Sequence, residues 1–164
     1  MANIEQGTLE DYEIVRSITG PVQNFYDDLR IAAGRLAVVG LVTRFQHWIT
    51  RFVQRRKLGL EKGEKPRLVK QLNALNEDLG MGPVSVEVFE NLVGVRDSVI
   101  HGDSRAEWEH NGRVRKVADE YRNAYGDVEI TEEQLKEAIE KAVRQVKWYD
   151  EKLYAATQKP AAKP

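Results

Sequence analysis

The sequence predicts an all-α helical bundle built round one long central helix, with room for a small hairpin or short strand between the last two helices. Three observations point there. Apolar residues recur at helical spacing along most of the 164 residues. The run from Val22 to about Leu58 carries two adjacent apolar stripes, a surface wide enough to meet several neighbours. Near the C-terminus Thr131-Glu-Glu-Gln134 is a capping box, the reciprocal hydrogen-bonding pattern that opens a helix.

Taken in order, a first helix is expected over Thr8 to Ile18, with acidic residues in its opening turn and Gly20-Pro21 breaking it or bending it onward. In the central helix one stripe is Phe25, Leu29, Ala32, Leu36, Val39 and Thr43. The other is Val38, Leu41, Val42, Phe45, Trp48, Ile49 and Phe52. Gly34 and Gly40 suit close helix contacts. Gly59 to Pro66 reads as a loop, and Pro66 can start a helix carrying Leu68, Val69, Leu72, Leu75 and Leu79. Gly80-Met-Gly-Pro83 ends it. Ser85 is the expected N-cap of a helix whose apolar side is Val86, Phe89, Leu92, Val93, Val95, Val99 and Ile100, with Gly102 as its stop.

Asn111-Gly112 is a strong tight-turn signal, compatible with a hairpin around Trp108 and Val114. A helical period over Val114, Val117, Ala118, Tyr121 and Tyr125 competes with it, and a turn followed by a short helix is the favoured reading. Val128 to Ile130 is long enough only for an isolated strand. The last helix runs through Leu135, Ile139, Val143, Val146, Tyr149 and Leu153. One domain is expected over residues 1–157, followed by a fraying Pro/Ala/Lys tail at 158–164.

Composition narrows the chemistry. A chain that is 41% hydrophobic and 31% charged suits a globular protein, and the absence of Cys removes disulfides, thiolate zinc sites and thiol nucleophiles. The apolar run Leu36 to Val42 is too short to cross a bilayer, and the opening Met-Ala-Asn-Ile-Glu-Gln lacks the order of a secretion signal. A cytoplasmic protein without a membrane association is expected. The net charge of −1 gives no global attraction to nucleic acid. Its distribution is more suggestive: basic residues crowd Arg44 to Lys70, including Arg55 and Arg56, and a second cluster holds Arg113, Arg115 and Lys116.

Chemistry concentrates in Arg96-Asp97-Ser98-Val99-Ile100-His101-Gly102. On a helix Asp97 and His101 are an i,i+4 pair on one face, and Arg96 lies roughly 100° round from Asp97. A carboxylate can orient an imidazole, and a guanidinium matches phosphate oxygens in a fixed fork. Arg105 to His110 repeats the Arg-to-His spacing, but in a polar segment beside a turn and with Ala after the Arg. On the residues alone the alternative is a surface Arg and a His accommodated at a helix C-terminus. His47 reads as a packed or boundary residue and His110 as exposed turn, with a place near the cleft as the alternative. Three scattered His with no partners at ligand spacing give no metal site, and no glycine-rich phosphate loop follows a strand. Trp108, Tyr121 and Tyr125 suit either base stacking or core packing.

A helical bundle with Arg-[Asn/Asp/His]-x-x-x-His-Gly late in a helix, followed by a final amphipathic helix, resembles the HEPN (higher eukaryotes and prokaryotes nucleotide-binding) superfamily. The motif match covers Arg96 to Gly102, and the architectural likeness residues 8–156. Asp97 stands where Asn is more usual. The resemblance implies a homodimer with both motifs in one cleft. It implies a metal-independent endoribonuclease of a toxin or defence (abortive-infection) type, needing no cofactor. His101 would be general base or acid, Arg96 would hold the scissile phosphate and Asp97 would orient His101. Cleavage through the 2′-hydroxyl would leave a 2′,3′-cyclic phosphate. Since one His cannot be acid and base at once, two protomers sharing a site are expected. Arg105, Arg113, Arg115, Lys116, Arg55 and Arg56 would bind RNA, and a nucleotidyltransferase-like antitoxin is the partner such toxins have. The alternative is a non-catalytic module of the same kind that binds RNA, nucleotide or a partner protein. A third reading is a purely structural bundle.

Overall fold

The computed structural model describes residues 4–59 and 67–158. In order come α1 (Ile4–Arg56), α2 (Leu68–Leu79), α3 (Val86–His101), β1 (Glu107–His110), β2 (Arg113–Lys116), a 3-10 turn at Asp119–Tyr121 and α4 (Glu132–Gln158). Among the described residues helix dominates and the one sheet has two strands, so the fold is mostly α-helical, as the periodicity predicted. Most of the loop expected at residues 59–66 and of the tail expected at 158–164 lies outside the described residues.

The chain divides into two compact units, residues 1–33 and 34–164. The first is the N-terminal part of α1. Its backbone stays helical through Gly20 and Pro21, so the helix is not broken there. A proline inside a helix removes one ladder hydrogen bond, and the flanking turns hold without it.

In the second unit the core forms where the second apolar stripe of α1 meets the other helices. Val38, Val42, Phe45, Ile49 and Phe52 are buried there with Leu72 and Leu75 of α2, Phe89, Leu92 and Val95 of α3, and Tyr149 of α4. Phe45 stacks on Phe89 with ring centroids 4.3 Å apart. Phe52 meets Tyr149 at 5.9 Å. Each such side chain contributes about 1.5–3 kcal/mol on leaving water. Two of the buried polar contacts join helices and the loop before α3: the Tyr149 hydroxyl donates to Asn76 Oδ1 at 2.7 Å, and the Val84 amide donates to Gln145 Oε1 at 3.2 Å.

The first stripe of α1 behaves differently. Phe25, Leu29 and Leu36 remain 60%, 50% and 67% exposed, so α1 is not covered on all the sides that its apolar width suggested. The segment after α3 also departs from the favoured reading. Residues 107–116 form an antiparallel hairpin, and of the expected helix only the turn at Asp119–Tyr121 exists. The reason is local: Asn111 (φ 52°) and Gly112 (φ 70°) occupy the left-handed region in succession, the conformation of a two-residue hairpin turn. Val128 forms a single bridge with Arg122 rather than a strand.

Candidate functional site

Helix α3 delivers the Arg96–Gly102 motif, and both of its ends are fixed. At the start, Ser85 Oγ accepts from the Glu87 amide at 3.3 Å. At the end, the Gly102 and Ser104 amides both donate to the Ser98 carbonyl, at 2.7 and 3.2 Å. Ser98 is fully buried, and its hydroxyl donates to the Arg105 carbonyl at 2.6 Å. Between these anchors Asp103 and Ser104 take φ values of 50° and 62°, uncommon for residues with a Cβ. The chain is thereby turned sharply at the helix terminus.

That turn brings Trp108 of β1 onto Gly102. A Cβ on Gly102 would lie 2.6 Å from Trp108 Cγ and 2.9 Å from Trp108 Cβ. With φ at −119°, Gly102 is needed for space, not for backbone freedom. Trp108 is 9% exposed, and its Nε1 is a buried polar atom with no hydrogen-bond partner. Leaving such a donor unpaired costs about 1–3 kcal/mol, so the packing of this ring on the helix end must outweigh it.

With β1 seated there, the rings of His101 and His110 stack, centroids 4.7 Å apart and planes inclined by 29°. His101 is exposed and His110 half-buried. The ladder register then sorts the charges. Opposed residues share a face of a hairpin, and faces alternate along each strand. His110 opposes Arg113 and Trp108 opposes Arg115, so both arginines lie on the imidazole face. Glu107 opposes Lys116 and Glu109 opposes Val114 on the other face. There Lys116 Nζ is 3.0 Å from Glu107 Oε2. The basic cluster read from sequence is therefore divided, with Arg113 and Arg115 beside the imidazoles and Lys116 on the far side.

Arg96 is engaged elsewhere. Its Nε and Nη2 donate to Asp97 Oδ1 at 2.9 and 2.6 Å, and its Nη1 donates to Gln46 Oε1 of α1 at 3.1 Å. Among the described residues the Asp97 carboxylate is bonded to Arg96 and not to His101. A permanently charged guanidinium on the neighbouring residue outcompetes an imidazole one turn away for that carboxylate. Five residues of helix also set Arg96 about 140° round from His101. The Arg96 side chain is only 20% exposed.

Of the other basic residues, Arg105 is exposed and its backbone bridges to Asp127. Arg55 and Arg56 end α1, where Arg56 forms a two-pronged pair with Asp78 of α2 at 2.5 and 2.9 Å. That direct hydrogen bonding holds the Asp78 carboxyl below the usual range and raises Arg56. Arg56 thus ties two helices together. Trp108 and Tyr121 are core residues, whereas Tyr125 is 90% exposed. His47, expected to be packed or at a boundary, is exposed, and its neighbour Gln46 meets Arg96.

A cavity of about 250 Å³ lies near the opposite end of α3, lined by Ser85, Asn91, Glu120, Tyr121, Glu137 and Lys141 among others, and takes in none of the motif residues. On the imidazole side His101 and Arg113 are exposed and His110 and Arg115 half-buried, while Trp108 of the same hairpin face is packed on α3. Among the described residues no group of three or more His, Cys, Asp or Glu is arranged to hold a metal ion, and no helix is long and apolar enough to cross a membrane. Sequence reasoning passed over Gln46 and took His110 for exposed turn, whereas it is half-buried at the end of β1. The signal for His110 was the Asn111-Gly112 turn, which fixes the residue before it opposite Arg113. No family model, curated protein or solved structure matches the chain.

Proposed function

We propose that the protein is a HEPN-like, metal-independent endoribonuclease of a toxin or defence type, acting on RNA at the His101 end of α3. The observation that carries the reading is the exposed His101 imidazole beside a hairpin face that presents Arg113 and Arg115. Guanidinium groups bind phosphate oxygens in fork geometry, and an imidazole beside them can move the 2′-hydroxyl proton. The exposure of His101 and Arg113 leaves both within reach of a strand. On this reading Arg55 and Arg105 add peripheral phosphate contacts, the protein works in the cytoplasm, and a nucleotidyltransferase-like antitoxin restrains it. The uncovered Phe25 and Leu29 of the first unit support pairing of two copies, which sedimentation would read as a dimer.

The test is incubation with single-stranded RNA in EDTA. Cleavage by the wild type, lost in His101→Ala, supports the proposal; intact RNA throughout rejects it. A second reading, a non-catalytic RNA-binding module, is favoured by one observation. Arg96 can reach a scissile phosphate only by leaving Asp97 and Gln46, and its present bonds give it a structural task. Binding of RNA without cleavage would select that reading.

A further inference from the structure

We infer that His110 is the second proton-transfer residue of the site, so that one chain supplies both imidazoles. The inference rests on the endoribonuclease reading. A 2′-hydroxyl attack needs a base at O2′ and an acid at O5′ together, and a lone His101 cannot serve both. The expected remedy was a second protomer. The structure offers a nearer one, because His110 lies against His101 with ring centroids 4.7 Å apart.

Several other candidate groups are placed elsewhere. His47 belongs to α1 and has no ring contact with His101. Asp97 is bonded to Arg96, and Glu107 and Glu109 sit on the opposite face of the hairpin. Arg113, opposed to His110 in the ladder, puts a permanent positive charge where the phosphate's equatorial oxygens gain charge. The hairpin is also fixed for the task. Gly102 admits Trp108, Trp108 seats β1, and the Asn111-Gly112 turn sets the register that pairs His110 with Arg113.

The step balances without metal or redox chemistry. One imidazole takes the 2′-hydroxyl proton as the O2′–P bond forms. The P–O5′ bond breaks, and its electron pair receives the proton delivered by the other imidazole. The products are a 2′,3′-cyclic phosphate and a free 5′-hydroxyl. The two rings end with their proton exchanged and recover through solvent water.

The experiment compares the wild type with His110→Ala and His110→Gln on a single-stranded RNA and on a nucleoside 3′-aryl phosphate, in EDTA. Aryl oxide leaves without protonation, so this substrate does not need the acid. Both His110 variants are expected to keep RNA binding and the wild-type circular dichroism, and to cleave RNA about 100-fold or more slowly. The aryl ester is expected to restore the rate in just one of His101→Ala and His110→Ala, the one that lacks the acid. Mixing those two proteins is expected to restore nothing, because the pair works within one chain. Wild-type rates in either His110 variant, recovery on mixing, or rescue of both or neither alanine variant would overturn the inference alone. A wild type that does not cleave RNA overturns the reading beneath it as well.

Discussion

Trp108 lies on Gly102 with no room for a methyl group: a Cβ there would come within 2.6 Å of the indole Cγ. The contact joins the C-terminus of α3 to the hairpin, and through it His101 to His110. Gly102→Ala must push the indole or the helix end aside. Overpacking of this kind costs about 1–3 kcal/mol. The expected result is a lower unfolding free energy in urea, altered Trp fluorescence and loss of RNA cleavage. Unchanged fluorescence and activity would remove the hairpin from the site.

Arg96 joins α3 to α1 through Gln46. Hydrogen bonds to a charged group are worth about 1.5–3 kcal/mol, so Arg96→Ala is expected to lower stability by about 2 kcal/mol. Gln46→Ala should cost less, and the double variant should fall short of the sum, as expected of residues that share a bond. Arg96→Ala that keeps full stability while cleavage disappears would instead make Arg96 a group that touches substrate.

The division of the basic cluster by the hairpin can be read from salt dependence. Arg113→Ala and Arg115→Ala should each weaken RNA binding and reduce the slope of log affinity against log salt by somewhat less than about 1. Lys116→Ala should leave both unchanged, since Lys116 is on the opposite face with Glu107. Equal effects from all three residues would mean that RNA does not distinguish the faces.

Burial pushes the Tyr149 hydroxyl up to about 12 from an ordinary 10.0, opposed by a hydrogen bond to Gln145. Tyr121 rises likewise to about 12, first through burial and then through Glu120. In both, the folded state holds its proton more tightly than the unfolded chain. Their stabilising effect is therefore complete below pH 10 and is lost as pH rises toward 12. Thermal melts across that window should fall steeply, and Tyr149→Phe should flatten part of the decline. A melting temperature level to pH 12 would contradict the burial of both rings.

The helices were legible because periodicity and capping are local. Ser85 and Gly102 marked the bounds of α3, and the Leu68 to Leu79 spacing marked α2. The hairpin was harder, because Val114, Val117 and Tyr121 also satisfy a helical period. The left-handed pair Asn111 and Gly112 decides against it. For the motif, spacing showed that Asp97 could reach His101 but not that Arg96 would hold it first. Partner choice depends on Gln46, fifty positions away in the sequence. The facing of Arg113 and Lys116 depends on register, which composition does not carry.

The most direct measurement is the chemistry of RNA ends after incubation in EDTA with wild-type protein and with His101→Ala. The account expects fragments ending in 2′,3′-cyclic phosphate and beginning with 5′-hydroxyl from the wild type, and uncut RNA from the variant. Uncut RNA from both, or the same fragments from both, would contradict it.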